Sequence, residues 1–464
     1  RRPLWLLAPI QLVWANTHVF VLGWALVLAA AAQDASCGRF DRRWRNALLA
    51  SGAAIFLNPY GWKGVVYPLV LLARLSGDDA FGQEISELAS PFSLASDPRF
   101  PWGIGLQLGC WKLLLLGALL AVPLLLRSRR WADLAVLLAF AGLSASAVRN
   151  LPLFVVVALP LIGEAATRWR SPRLERWLAP TLFVAASVLA LRVADGAFYA
   201  AGRRSVRMRV DVDATQLAVQ TADFLERNGL NGRGFNNLDV GGALLWRHPS
   251  GAVFIDGRNE VSGEAFFRRY LALSSPDGWP RLAPSWDFEY VALGHRTAPR
   301  LAGVLLADPT WRLVHYDAVA LVLVRVGGRY DALPSATLPA RVGDDERRRA
   351  LDAVRPDVSA SARLGRWLLG TEAAPAEAHF VGTFLLMTGQ RHAAERPLLD
   401  AARLSPNHYE TSNNLGALYW RMERWEDAAR CYRNVLLLEP GNELARRRVR
   451  EAEGKGLGGR MPSP

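Results

Sequence analysis

Cysteine is scarce. Cys37, Cys110 and Cys431 are the three in 464 residues, and they lie far apart in different regions, which excludes a disulfide framework and a zinc-ligand spacing. A phosphate-cradling glycine loop, a nucleophile elbow and a metal-binding histidine pair are also missing. The chain opens on Arg1-Arg2-Pro3 and runs straight into Leu4-Trp5-Leu6-Leu7, without the n-region, h-region and cleavage site of a signal peptide. That start reads as a truncation, with upstream helices and their chemistry outside this chain. The apolar segments show no internal repeat of the kind a transporter needs.

What is abundant is hydrophobic length. Hydrophobic residues make up 51% of the chain and tryptophan reaches 17, which fits a half-membrane protein better than a soluble enzyme. The formal net charge is +13, a value that invites a nucleic-acid reading. Much of the excess, however, sits in short loops between apolar segments: Arg39, Arg42, Arg43 and Arg45; Arg127, Arg129 and Arg130; Arg168, Arg170, Arg173 and Arg176. That is the positive-inside pattern of cytoplasmic loops, and no nucleic-acid partner is inferred.

With the three arginine clusters placed in the cytoplasm, residues 1–196 thread as a multi-pass membrane domain. Leu4 to Val13 and Val19 to Ala32 flank a polar break at Trp14-Ala15-Asn16-Thr17-His18. Asn46 to Leu57 rises outward, breaks at Asn58-Pro59-Tyr60-Gly61, and continues apolar to Leu75 as one kinked span or as a span plus an interfacial helix. The stretch from Ser76 to Pro101 is an external loop. Trp102 to Leu126 returns, at about 30 Å or more of helical rise. Trp131 to Val148 goes out to Arg149-Asn150, Leu151 to Ile162 comes back, and Leu178 to Ala194 crosses last. The following domains then lie outside, in the periplasm of a bacterium. If the short Leu151 to Ile162 segment does not cross, they are cytoplasmic.

Residues 205–326 read as a small three-layer α/β domain. Helices are expected at Thr215 to Asn228, from an Asp239 N-cap to Arg247, at Glu264 to Leu273 and at Ala298 to Ala307. Strands are expected at Arg233 to Asn236, Ala252 to Ile255 and Tyr290 to Leu293, with a hairpin of Arg312 to Tyr316 and Val319 to Arg325 around Asp317. A Gly/Pro/Ala linker covers 327–345, a helical region 346–454, and the tail 455–464 reads as disordered. Within the helical region a period of thirty-four residues repeats Gly382, Leu385, Ala394 and Pro406 as Gly416, Tyr419, Ala428 and Pro440. The copies at 375–408 and 409–442 look like tetratricopeptide repeats, with Ser412 where that pattern prefers Trp. Such repeats imply a protein or peptide partner.

Five groups of residues carry candidate chemistry. His18, Asn16 and Trp14 interrupt an apolar stretch, where polar groups mark a water-filled cavity or an interfacial turn. Asn58 and Tyr60 lie at a helix break that could hold polar groups, with a plain kink as the alternative. Arg149 and Asn150 place a permanent cation at the outer end of two spans, suited to a phosphate, or else a snorkelling arginine. Glu87, three residues after Glu84, could be a general base or metal ligand, or part of a solvated helix face. Asp256 and Arg258, read at a strand's carboxyl end, either contact a ligand or form an ion pair that braces the turn; the ion pair is the stronger reading.

Taken in order, Trp14-Ala15-Asn16-Thr17-His18, Asn58-Pro59-Tyr60-Gly61, Ile85-Ser86-Glu87 with Ser90-Pro91, Arg149-Asn150 with Pro152 and Phe154, and Phe254-Ile255-Asp256-Gly257-Arg258 resemble a family. It comprises bacterial polytopic membrane proteins similar to GT-C-type glycosyltransferases, many with C-terminal tetratricopeptide repeats. The resemblance covers most of the chain through Arg325. It implies transfer of a sugar from a polyprenyl-phosphate donor to an acceptor at the outer face of the inner membrane. Arg149 would then meet the donor phosphate, while His18, Asn16 and Glu87 line the cavity and a divalent metal is an open option. Thr17-His18-Val19 departs from the family's Leu-His-Gly, and Leu88 stands where Trp is expected. The family's acidic catalytic base would lie upstream of Arg1. The rival expectation is a non-enzymatic membrane-anchored scaffold whose repeats recruit periplasmic proteins.

Overall fold

The computed structural model describes residues 3–17, 20–75, 89–95, 103–166, 172–194, 212–258, 262–362 and 376–458. The fold is mostly helical with a small mixed sheet. It divides into two units, Arg1–Ala185 and Ala186–Pro464.

In the first unit the described helices are α1 (Leu7–Thr17), α2 (Phe20–Ser36), α3 (Arg42–Ala54), α4 (Trp62–Leu75), α5 (Pro91–Ala95), α6 (Gly103–Arg127), α7 (Trp131–Ser146), α8 (Leu151–Ala166) and α9 (Pro172–Ala194), which runs on into the second unit. Among the described residues one helix is long and apolar enough to cross a membrane, Leu108–Arg127 of α6, with mean hydropathy 2.1. Trp131–Ser146 and Pro180–Ala194 are shorter apolar helices. The expected break at Trp14 to His18 starts later than the sequence suggests, because α1 continues through Thr17. Asn16 and Thr17 stay helical by bonding back along the helix: Asn16 Nδ2 donates to Leu12 O at 2.8 Å and Thr17 Oγ1 to Val13 O at 2.9 Å.

Two ends of this unit differ in chemistry. At one, Trp44 Nε1 of α3 donates to Asp34 Oδ2 of α2 at 2.9 Å, and Arg39 donates to Asp34 Oδ1 at 2.8 Å. There too Ala132 N of α7 donates to Gln33 Oε1 at 3.3 Å. Arg130 pairs with Asp133 at 2.6 Å and with Glu164, near the end of α8, at 2.5 Å. The end of α2 thus meets the starts of α3 and α7 and the end of α8. At a rise of about 1.5 Å per residue, the opposite ends of these helices collect roughly 20 Å away. The unit buries Leu108, Trp111, Leu137 and Phe154 together with small and polar residues such as Ala118, Ala158, Ser51 and Ser144, and leaves Leu113, Leu119, Val156 and Phe183 exposed.

The second unit begins, among described elements, with α10 (Val219–Arg227), β1 (Gly234–Asn236), α11 (Leu238–Arg247), α12 (Glu264–Leu273), α13 (Trp279–Leu282), β2 (Tyr290–Gly294), α14 (Pro299–Ala307), β3 (Trp311–Tyr316) and β4 (Ala320–Arg325). The sheet order is β1-β2-β4-β3, with β1 parallel to β2 and the other pairs antiparallel. Alternate residues divide between its faces, as the pleat requires. Tyr290, Ala292, Ala320, Val322 and Val324 face Ala218 and Ala222 ahead of and within α10, and Val240 and Leu244 of α11. Phe235, on the other face, meets the rings of Tyr270, Trp279 and Phe288. Both faces are covered, so β2 and β4 read as unbroken apolar runs rather than alternating ones.

Three expectations change here. Ala252 to Ile255 is not a strand: the amide of Asn236 takes the place of a backbone ladder, donating to Ile255 O at 2.7 Å and accepting from Phe254 N at 2.8 Å. The helix expected from Thr215 starts at Val219, since Asp213 folds the chain before it into a turn by accepting from Thr215 N at 3.0 Å. Asp239 is not the cap of α11. Asn237 holds that position, and its side chain is drawn away, accepting from Gly294 N at 2.8 Å, while Asp239 accepts from Thr297.

Beyond the linker come α15 (Asp344–Ala353), α16 (Ala376–Met387), α17 (Arg391–Leu404), α18 (Tyr409–Arg421), α19 (Trp425–Leu438) and α20 (Glu443–Gly458). The last helix runs past the point at which a disordered tail was expected. The thirty-four-residue period has a steric basis. A Cβ on Gly382 would come within 2.7 Å of Leu398, and one on Gly416 within 2.9 Å of Tyr432, so both positions need glycine for α16 to pack on α17 and α18 on α19.

Candidate functional site

The second end of the first unit gathers polar interruptions from distant parts of the chain. Asn16 Nδ2, at the end of α1, donates to Leu57 O at 2.9 Å, beside the Asn58 turn. Asn58 is committed to its own turn: Nδ2 donates to Ile55 O at 2.9 Å and Gly61 O at 3.1 Å, and Oδ1 accepts from Tyr60 N at 2.8 Å. The Tyr60 side chain, 76% exposed, is left outward. Trp14 is packed on Gly23, and its Nε1 is buried without a hydrogen-bond partner among the described residues. Leu6, Pro9, Ile10, Val13, Trp14 and Thr17 line an apolar groove of about 540 Å³ along α1.

A second cluster forms at the same end. Val148 N donates to Ala89 O at 3.0 Å, and Ser90 Oγ donates to Ala145 O at 3.0 Å. These bonds tie the segment at Ala89 and Ser90 to the start of the short 3-10 turn Val148–Asn150 and to the end of α7. Phe92 packs edge-on against Trp111 at 5.1 Å, and Trp111 Nε1 donates to the buried Ser144 Oγ at 3.0 Å. Asn150 Nδ2 donates to Leu143 O at 3.0 Å, satisfying a carbonyl near the end of α7. Arg149 is exposed and has no ion pair or hydrogen bond to another described residue. Within this cluster it is the group left available for an anion.

The structure therefore joins Asn16 with the Asn58 turn, and the Ala89-Ser90 segment with the end of α7 and the start of the turn that carries Arg149 and Asn150. Among the described residues no hydrogen bond or ion pair joins the two clusters, although both stand at one end. His18 and Glu87 lie outside the described residues. Asn16, Asn58 and Asn150 spend amide donors on backbone carbonyls, which makes them organisers of the turns first and ligand contacts second.

Asp256 and Arg258 belong to the second unit. Arg258 donates to Asp256 Oδ1 at 2.9 Å through Nε and to Oδ2 at 2.8 Å through Nη2, and its backbone N donates to Oδ1 at 2.8 Å. The Arg258 guanidinium holds the Asp256 carboxyl below the usual carboxylate range against the opposing effect of burial. The pair braces the turn, and it follows an extended segment rather than the carboxyl end of a strand.

Sequence reasoning missed two buried polar groups in the helical region. Arg347 of α15 donates to Glu395 of α17 at 2.5 Å, and Arg424 lies 3.6 Å from the same carboxylate. His379 and His408 converge on the buried Thr411. The signal available was the burial of charged or imidazole side chains on amphipathic helices, which a one-dimensional period does not reveal. Among the described residues no group of three or more His, Cys, Asp or Glu is placed to hold a metal ion. Compared with protein-family models, curated proteins and solved structures, the chain matches none.

Proposed function

We propose that this chain is part of a multi-pass membrane glycosyltransferase-like protein. It would transfer a sugar from a polyprenyl-phosphate donor to an acceptor at the outer face of a bacterial inner membrane, with the later domains in the periplasm. The observation that carries the reading is the collection of Asn16, the Asn58 turn, Ser90 and Arg149 at one end of the first unit, opposite the arginine-rich end. An exposed guanidinium without a partner among the described residues suits a phosphate, which it can bind through two parallel N–H bonds. The apolar groove beside Trp14 suits an isoprenoid chain. Exposed leucines over small buried residues suit helices in lipid, where close packing uses small side chains.

The chemistry assigned here to this chain is limited to binding and orientation. Arg149 would neutralise the donor phosphate, and Asn16 and Asn150 would keep the turns around it in place. His18 and Glu87 stay in the proposal as cavity residues, with Glu87 the candidate base, and no step is routed through a metal. The test is Arg149→Ala in the full-length protein, assayed for glycan transfer. Loss of a developing-charge contact of this kind costs roughly 100-fold or more in rate. Undiminished transfer removes the phosphate role.

A second reading has its own support. The matched glycines of the two helix pairs repeat the spacing of tetratricopeptide units, which bind proteins or peptides. On that reading the chain is a membrane-anchored scaffold, and the Arg149→Ala protein keeps every interaction of the wild type.

A further inference from the structure

Three histidines, His295 and His379 buried and His408 partly buried, sit where the sheet meets the helix pairs of the second unit. His295, just after β2, donates from Nε2 to Asp317 O at 2.9 Å and stacks on Phe384 of α16 at 4.3 Å. The neighbouring Arg296 guanidinium covers the ring of Phe380 at 3.9 Å, and Phe380 packs against the core of the sheet. One turn away His379 faces His408 edge-on at 5.0 Å, with Thr411 between them.

The hydrogen bonds fix the direction of this relay. Thr411 N donates to His408 Nδ1 at 3.3 Å, so that nitrogen carries a lone pair. Thr411 Oγ1 then donates to the same nitrogen at 2.8 Å, and His379 Nδ1 donates to Thr411 Oγ1 at 2.9 Å. His408 is also the N-cap of α18. A proton added at His408 Nδ1 removes the acceptor of two bonds and the cap together.

We propose that this joint is an acid-released clasp: protonation of His408, His379 and His295 frees α16 from the sheet while the sheet itself stays folded. The charged and titratable groups facing it come from every neighbouring element. Arg296 stands over Phe380, with Asp213 and Asp239 near it. Asp317 in the β3–β4 turn accepts from His295 through its backbone and has His315 at 3.5 Å from its carboxylate. Glu410 lies 3.9 Å from His408 Nε2. Arg296 and the paired imidazole both oppose a charge on His379.

Burial pushes all three imidazoles down to about 4. A folded value below the unfolded value of about 6.5 means that the open state binds the proton more readily. The clasp is then at full strength above pH 6.5 and weakens as the pH falls toward 4. Between pH 7 and pH 5 one such histidine shifts the opening equilibrium by about 20-fold.

Hydrogen exchange of the full chain, corrected for its intrinsic pH dependence, reads this directly. Expected is a reversible loss of protection in α16 and the loop after β2 between pH 7 and pH 5, of about 20-fold or more, with β2 and β4 unchanged. The variant H295Q/H379N/H408N keeps a donor or acceptor near each bonded nitrogen but cannot titrate, and its α16 protection stays level over that range. If it does not fold, H408N alone, with an amide suited to the N-cap, reduces the shift. Wild-type protection that is flat between pH 7 and pH 5, a simultaneous loss in β2 and β4, or the same loss in the folded triple variant overturns the proposal.

Discussion

In the sheet of the second unit, the side chains hidden from the surface are Val291, Leu293, Val322 and Leu323, and the helices over them turn charge outward. In the first unit the hidden positions include Ala31, Ala121, Gln11 and Ser51, while Leu113 is 70% exposed and Val156 is 73% exposed. Water drives the first arrangement, because apolar area gains most by leaving it. The second arrangement gains little in water, and contiguous exposed apolar surface of this kind marks contact with lipid or a partner. Both units bury alanines and large apolar side chains, Leu137 and Phe154 in the first and Leu293 and Phe235 in the second; what separates them is how much large apolar surface the first leaves exposed.

The largest test of this contrast is Arg347→Leu. It strands the fully buried Glu395 carboxylate, with Arg424 the nearest remaining cation, and a loss of about 3–5 kcal/mol is expected in denaturant unfolding of the second unit. A loss below 1 kcal/mol would show that this interior is wetter than its burial implies. Leu119→Lys probes the other side of the contrast, at a residue 66% exposed on α6. If lipid covers that face, membrane insertion should weaken by about 2–3 kcal/mol. If water covers it, stability should stay within about 0.5 kcal/mol. The smallest effect belongs to Asp256→Asn. Its carboxyl is held low by Arg258, so its contribution is present above the ordinary carboxylate value and is lost as the pH falls through the lower folded value. With Arg258 half exposed, about 1 kcal/mol or less is expected, read as the difference in urea midpoint between pH 6 and pH 3 that disappears in the variant.

Much of the second unit was legible because its signals are local. The runs at Tyr290 and Ala320 and the Asp317 turn gave strands and hairpin nearly to the residue. Three failures share one cause, namely side chains that replace backbone partners. Asn236 stands in for a strand at Phe254 and Ile255, and Asn237 abandons its capping role for Gly294. Asn16 and Thr17 bond back along α1 and let a polar stretch remain helical. In the candidate site, the residue types and the helix breaks could be read from the chain. The meeting of Ser90 with the end of α7, across 55 residues, and the self-contained bonding of Asn58 could not, since both depend on tertiary placement.

The substitution made by Asn236 has a consequence at the edge of the sheet. Among the described residues β1 is the last strand on its side of the sheet, and the outer flank of such a strand offers unpaired backbone groups. By binding Phe254 and Ile255 through one carboxamide, Asn236 anchors an irregular segment to β1, so the placement of that segment beside the sheet depends on a single side chain.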